Sequence, residues 1–372
     1  VGDQVICAVA QRLLTQVRED DLVARLGGDE FALVVPGLDA QAGQLLAERI
    51  RAAMEQPVEI SGRDVSQTLS IGVAIGEWDL GADELLVRAD RALYGAKAKG
   101  RNRSVVFDES MRDEVLARLD MERELRHALD HEEFEVYFQP EFEIADCRIV
   151  GVEALLRWAH PERGLIPASS FIDVAESTGM IDELGRFALR EACRGFALIR
   201  SEVGISDLTL RVNISGREFA RAELPDLVRA ALEQAGLDPA LLCLEMTEMT
   251  LMDSPEVALD TFSRLHDLGV QFAIDDFGTG YSSLTYLKRF PVDVVKIDRG
   301  FVADLQSDED SLAIVGSIIS LAAALSLDVV AEGLEHEEQL AVLRELGCAR
   351  GQGYLVSGAL SAPELVTFLR AD

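Results

Sequence analysis

From residue 133 onward the chain alternates short apolar runs with longer stretches of helical periodicity, and that alternation restricts the possible folds more than any other feature. Strand-like runs fall at Glu133–Phe138, Ile149–Leu156, Leu208–Ile214, Leu241–Met246, Val270–Ile274, Val292–Ile297, Asp328–Ala331 and Tyr354–Val356. After the first pair, helical stretches ending near Arg200, Ala235, Leu268, Leu325 and Leu346 fall between them, except between Val270–Ile274 and Val292–Ile297, and a last helix ends near Arg370. This rhythm predicts a TIM-like (β/α)8 barrel, an α/β fold whose chemistry sits where strands end. Polar residues collect at those ends: Asn213, Glu245, Asp275, Asp276, Lys296 and Glu332, while Glu153 interrupts another strand-like run. Asp275 and Asp276 stand where the apolar run of FAIDDFGTGYSSL gives way to a glycine-rich loop. Adjacent carboxylates repel unless a cation neutralises them, and two divalent ions sharing one carboxylate would do so. Taken alone, the pair reads more simply as a solvated turn; the convergence of further acids on the same strand ends favours a metal site.

Charge narrows the partners. With 35 basic against 66 acidic residues the net charge is −31, which argues against a nucleic-acid duplex or an anionic membrane as the main partner. An anionic small ligand would need metal or local arginine to bind. Cys7, Cys147, Cys193, Cys243 and Cys348 are scattered, odd in number and without CxxC spacing, as expected of core thiols in a reducing, cytoplasmic setting. No apolar run has the length of a membrane span, and the first residues do not read as a signal or transit peptide. The chain opens with Val1 inside a helical pattern, so the expectation is a fragment whose upstream part is open, with room for a sensor or membrane region.

In the first hundred residues, Leu22–Leu26 and Phe31–Val35 read as two strands around Gly27-Gly28-Asp29-Glu30. The glycines admit a phosphate or purine close to the backbone, and the two acids are hard oxygen ligands; a plain hairpin turn explains the same residues. RLGGDEF, through Phe31, resembles the signature of GGDEF domains, which make cyclic di-GMP from two GTP molecules. The resemblance implies an inhibitory product site at Arg18 and Asp21, an RxxD five residues before the glycines. It also implies phosphate binding by Lys97 and Arg101 at the end of a helix over Asp83–Lys99, although basic residues there suit the helix dipole without any ligand. The family's first strand, with a metal-binding Asp, and its guanine-holding Asn segment precede the point where this chain starts. Residues 1–107 are therefore expected to form a partial GGDEF domain with exposed apolar sheet edges, able to meet GTP but not to make cyclic di-GMP. Residues 108–132 carry an apolar stripe of Val115, Leu116, Leu119, Leu125, Ala128 and Leu129 without Gly or Pro, which predicts a linker helix.

Over residues 133–372, EALLRW, VNISGREF, LEMTEM, DDFGTGYSSL, VVKID, AEGLE and GQGY appear in the order of the EAL family's motifs. The region resembles EAL domains, phosphodiesterases that open cyclic di-GMP to linear pGpG. The resemblance implies two magnesium or manganese ions. Glu153, Asn213, Glu245 and Asp275 would hold one; Asp275 would bridge to a second, shared with Asp276 and Glu332. Calcium would inhibit. Lys296 matches the catalytic lysine, Gln139, Arg157, Glu335 and Gln352 match substrate-site positions, and Glu248 matches the acid that anchors the Asp-rich loop. A homodimer is also implied. Ser357-Gly358-Ala359-Leu360 departs from the family's basic-Pro-Leu ending, which is expected to loosen the guanine pocket. The rival readings are an inactive cyclic di-GMP receptor, a bifunctional cyclase and phosphodiesterase in a longer protein, and an enolase-type lyase with Lys296 as base.

Overall fold

Two compact units divide the chain, Val1–Asp120 and Met121–Asp372, and the division falls inside the helix Ser110–Asp130. The computed structural model describes residues 2–18, 20–56, 58–60, 63–65, 67–76, 80–98, 102–205, 207–248, 250, 255–279 and 290–371.

In the first unit, β1 (Leu22–Gly27) and β2 (Glu30–Val34) form an antiparallel hairpin, tightened by a register shift between Arg25 and Gly27. Strands β3 (Val58–Ile60) and β4 (Arg63–Val65) make a second hairpin, and β5 (Ile71–Val73) pairs in parallel with β6 (Ser104–Val106). Among the described residues these are three separate two-stranded sheets. Helices Gly2–Gln16 and Ala40–Met54 supply the buried core of Val9, Leu13, Ile50 and Met54, against which Phe31 and Ile71 pack. Leu22, Leu26 and Val34 are each more than half exposed.

The second unit is a closed ring of eight strands. Strands β8 (Ile149–His160), β10 (Thr209–Asn213), β11 (Leu242–Thr247), β12 (Gln271–Phe277), β13 (Val294–Ile297), β14 (Asp328–Ala331) and β15 (Arg350–Gln352) are parallel neighbours in that order. Strand β7 (Phe134–Glu143) closes the ring, antiparallel to both β15 and β8. A regular β/α rhythm does not foresee this reversal, but the five residues between β7 and β8 require it. A parallel crossover needs a dozen or more residues, whereas a hairpin needs only a few.

Two further expectations change. The stretch after Leu156, read as helix up to Arg200, first continues β8 to His160 and turns back into β9 (Gly164–Pro167). Only then do the helices Ile172–Thr178 and Ile181–Val203 follow, separated at the left-handed Gly179. The last barrel strand is Arg350–Gln352, not Tyr354–Val356, whose Tyr354 is exposed. It escapes a hydrophobicity reading because Gly351 lies where a Cβ would press on Leu334 and Phe142, and its flanking residues are polar.

The outer side of the barrel carries the main core, with Phe138, Phe196, Phe262 and Phe272 among its large members. The C-terminal half of the helix Ser110–Asp130 packs by Leu125 and Ala128 on a satellite cluster of Phe134, Trp158 and Phe171.

Candidate active site

Strand alternation points every second residue of a barrel strand inward. Register then decides which inward residues share a layer. Glu153 lies opposite Gln139 across β7 and β8, Asn213 opposite Glu245 across β10 and β11, and Thr247 opposite Asp275 across β11 and β12.

Asp275 and Asp276 are consecutive, so a regular strand would send them to opposite faces. Here β12 is irregular between Ile274 and Phe277, and Asp276 takes a left-handed backbone with φ 53°. Aspartate tolerates that conformation better than most residues, and such strain concentrates at functional sites. The irregularity lets both acids reach the barrel mouth, where one carboxylate oxygen each from Asp275, Asp276 and Glu332 lies within 4.8 Å of the others.

Beside them Lys296 is fully buried on β13. Its Nζ lies 2.7 Å from Glu245 Oε2, 2.6 Å from Glu332 Oε1, 3.4 Å from Glu153 Oε2 and 3.7 Å from Asp275 Oδ1. Asn213 Nδ2 donates to Glu153 Oε1 at 2.6 Å, and Gln352 Nε2 donates to Glu153 Oε2 at 2.6 Å. Gln352 Nε2 also reaches Gln139 Oε1 at 3.3 Å.

Burial opposes the charge on Lys296, but the ring of carboxylates more than offsets it and holds the ammonium well above its ordinary pKa. Glu153 is also resisted by burial, yet Lys296, Gln352 and Asn213 together bring it below the usual range. The surplus acids pay for their company. Burial, with Asp275 and Glu153 adding to it, pushes Glu332 up to about 7. Burial, then Asp275 and Asp298, pushes Asp276 up to about 6. One lysine among this many carboxylates leaves a net negative, oxygen-rich mouth, and Glu245 Oε1 is buried without a hydrogen-bond partner among the described residues. The donor set is all oxygen and suits magnesium or manganese.

Family models agree with this geometry over most of the chain. The EAL domain model matches residues 122–359 and the model "Diguanylate cyclase, GGDEF domain" matches residues 1–103. The chain belongs to the tandem GGDEF-EAL family.

Two curated relatives come from Pseudomonas aeruginosa. The bifunctional diguanylate cyclase/cyclic di-GMP phosphodiesterase MucR is 41% identical over 367 residues, 98% of this chain and 53% of MucR. The cyclic di-GMP phosphodiesterase NbdA is 41% identical over 374 residues, 100% of this chain and 47% of NbdA. The chain thus spans about half the length of the curated relatives it matches. Among solved structures, the MucR phosphodiesterase in complex with cyclic di-GMP is 43% identical with a TM-score of 0.64, covering 66% of this chain and 99% of that one. The EAL enzyme Bd1971, bound to cAMP and cyclic di-GMP, is 32% identical with a TM-score of 0.67 and covers 78% of this chain and 77% of its own.

Not every expected residue joins the EAL cluster. Arg157 lies four residues beyond Glu153 on β8, half-buried, with Nη1 bonded to the carbonyl of Leu156 and Tyr354 among its neighbours in the field. Glu335 sits before the helix Glu337–Glu345 with its backbone NH on Gln339 Oε1, and among the described residues no hydrogen bond joins its carboxylate to Lys296 or its acids. The segment from Ser357 to Leu360, whose departure from the family ending is expected to loosen the guanine pocket, is itself held to β7. Phe138 and Leu360 exchange backbone hydrogen bonds of 2.7 and 2.9 Å, and Gln139 Nε2 donates to the Ser357 carbonyl at 3.3 Å. Asp298, the last residue of VVKID, joins the site although its acid carries no role in the motif pattern. It stands against Asp276 while its Oδ1 caps the short helix Arg299–Ala303 at Gly300. Only the signal of an acid two residues past the lysine, just beyond a strand end, pointed to it.

In the GGDEF part, Gly28 takes the positive φ of 52° that the hairpin turn needs, and Arg25 donates to its carbonyl. Lys97 Nζ comes within 3.9 Å of Glu30 Oε1, both side chains being about half exposed. Arg18 and Asp21 close on each other, with the Arg18 NH donating to Asp21 Oδ2 and the Asp21 NH to the Arg18 carbonyl. Arg101 lies outside the described residues.

Glu248 is buried at 8% exposure, and neither carboxylate oxygen has a hydrogen-bond partner among the described residues. A carboxylate is costly to bury without one. The loop it is expected to anchor, residues 276–284, is described only through Thr279. Glu248→Ala is expected to lower turnover and weaken metal affinity about tenfold, the effect of removing a group that orients ligands. A magnesium titration of that variant with wild-type kinetics would remove the anchoring role.

Proposed function

We propose that the chain is a divalent-cation-dependent phosphodiesterase that hydrolyses cyclic di-GMP to linear pGpG. One observation carries the reading: a buried lysine ringed by Glu153, Glu245, Asp275 and Glu332, next to the Asp275, Asp276 and Glu332 group, on an EAL barrel. Glu153, Asn213, Glu245 and Asp275 would hold one magnesium or manganese ion, and Asp275, Asp276 and Glu332 a second. Bound there, the ions supply neutralisation of the phosphodiester oxygens and a water acidic enough to attack phosphorus.

The chain's own groups do the rest. Lys296, held protonated by its acids while no ion is bound, is placed to orient the attacking oxygen, and ions bound beside it would lower its pKa toward that of a base. Gln352 and Asn213 pin the two oxygens of Glu153 so that this acid keeps one orientation. Arg157 presents a planar cation on the same face of β8 as Glu153, suited to a phosphate oxygen pair. The cyclic di-GMP phosphodiesterase relatives MucR and NbdA and the cyclic di-GMP complexes of MucR and Bd1971 support the same substrate. The test is incubation of the purified chain with cyclic di-GMP and magnesium followed by separation of nucleotides. Accumulating pGpG supports the reading, whereas tight binding without turnover makes the chain a receptor.

The GGDEF part is regulatory in this reading. Asp29 and Glu30 stand on a hairpin that shares no ladder with β5 and β6 among the described residues. A cyclase must hold metal ions against GTP phosphates with more acids than these two. The polypeptide beginning at Val1, carrying Glu153→Ala to prevent product loss, is expected to form no cyclic di-GMP from GTP and magnesium. Any product in that incubation would refute it.

A further inference from the structure

One layer below the barrel mouth, the interior is filled in two ways. Cys243, Ala273, Val294 and Val330 form a small apolar cluster on one side. On the other side stand two fully buried charges, Glu141 of β7 and Arg211 of β10, with 0% and 1% exposure. Their positions follow from strand alternation: Glu141 is two residues past Gln139, and Arg211 two before Asn213. Gly151 of β8, opposite Glu141, makes the room, since a Cβ there would stand 2.6 Å from Thr209 Oγ1 and 3.4 Å from Glu141 Oε2.

Both oxygens of Glu141 accept from the Arg211 fork, one from Nε and the other from Nη2 at 3.0 Å. Arg211 Nη1 donates to Cys243 Sγ at 3.3 Å. The same guanidinium also faces upward: its Nε lies 3.7 Å from Glu245 Oε1. That oxygen has no hydrogen bond among the described residues, while its twin, Oε2, is held by Lys296 at 2.7 Å. Glu245 therefore lies between two cations, one at the mouth and one beneath.

A buried ion pair is weak evidence for stability, because desolvation of both charges offsets most of their attraction. The apolar half of the same layer shows that this barrel fills its interior without charge. We infer that the Glu141–Arg211 pair is a positioning device for the active site: Arg211, locked by Glu141, holds Glu245 Oε1 from below so that the carboxylate does not turn wholly toward Lys296. Arg211 touches no substrate and acts through Glu245. The inference rests on the reading of Glu245 as a ligand of a divalent cation.

The experiment measures manganese binding to the full chain by calorimetry without nucleotide, alongside kcat and KM for cyclic di-GMP. The double variant Glu141→Leu with Arg211→Met replaces the pair by apolar side chains and is expected to melt at or above the wild-type temperature. It should bind manganese about tenfold more weakly or worse, with kcat reduced and KM little changed. In a Glu245→Gln background, Arg211→Lys should cause no further loss of manganese affinity, although alone it weakens binding. That cycle decides the matter even if the double variant fails to fold, because lysine keeps the charge and loses only the fork. Wild-type manganese affinity in the folded double variant, or an undiminished effect of Arg211→Lys beside Glu245→Gln, overturns the positioning role. A wild-type chain that binds no manganese overturns the ligand reading and the inference together.

Discussion

Lys296→Met is expected to cut kcat by about 10^3-fold, within the range for losing a group that acts directly on a proton or attacking oxygen, and at the same time to destabilise the metal-free barrel. Lys296 Nζ is the cation that sits within 4 Å of Glu153, Glu245, Asp275 and Glu332, and its side chain is wholly buried. Methionine fills much of the same volume without charge, so the variant isolates the electrostatic part. Removing one partner of a buried ion pair costs about 3–5 kcal/mol because the other is left uncompensated. Magnesium should recover much of that loss, since an ion bound by the same acids replaces the missing charge, and any ligand of the native state adds stability by mass action. Thermal melts in EDTA and in magnesium read the effect: the gap between the two is expected to be wider in the variant than in the wild type. An EDTA melting temperature equal to that of the wild type would show that the acids do not depend on the lysine.

Asp275→Asn should lose activity to a similar degree, about 10^3-fold or more, because it removes the carboxylate proposed to serve both ions. Its effect on stability has the opposite sign. Asp275 is one of the causes, after burial, that hold Asp276 at about 6 and Glu332 at about 7. A neutral amide of the same shape relieves that repulsion, so the metal-free variant is expected to melt at or above the wild-type temperature. The two variants therefore separate catalysis from folding, both being inactive while one is weakened and the other is not. Calcium belongs to the same test. Its longer, looser coordination spoils a two-ion arrangement, so it should compete with magnesium at the wild-type site without supporting turnover. Retained turnover in Asp275→Asn, or calcium-driven hydrolysis by the wild type, would contradict the shared-carboxylate arrangement.

These expectations combine what a linear chain can state with what it cannot. The sequence by itself determined the barrel, because apolar strands and amphipathic helices recur with a period that few folds accommodate. It also singled out the acids and the lysine at the strand ends, since they interrupt apolar runs where a buried charge is otherwise too costly to keep. Only tertiary structure decided how those residues face one another. The left-handed Asp276 brings two consecutive acids to one side of β12, against the alternation that sequence periodicity assumes. The reversal of β7 puts Gln139 opposite Glu153 and carries Glu141 into the layer below the site, a pairing that no local pattern contains because its members are far apart in the chain. Strand β15 stayed hidden because its residues answer to close packing at Gly351 and to the hydrogen bond from Gln352 to Glu153 rather than to hydrophobicity. Glu248 in LEMTEM reads equally well as a surface acid or a loop anchor, and only the fold shows it buried with neither carboxylate oxygen hydrogen-bonded among the described residues. Periodicity records which face of a strand a residue prefers; register, strand irregularity and burial depend on neighbours distant in sequence, and only the folded barrel brings those neighbours together.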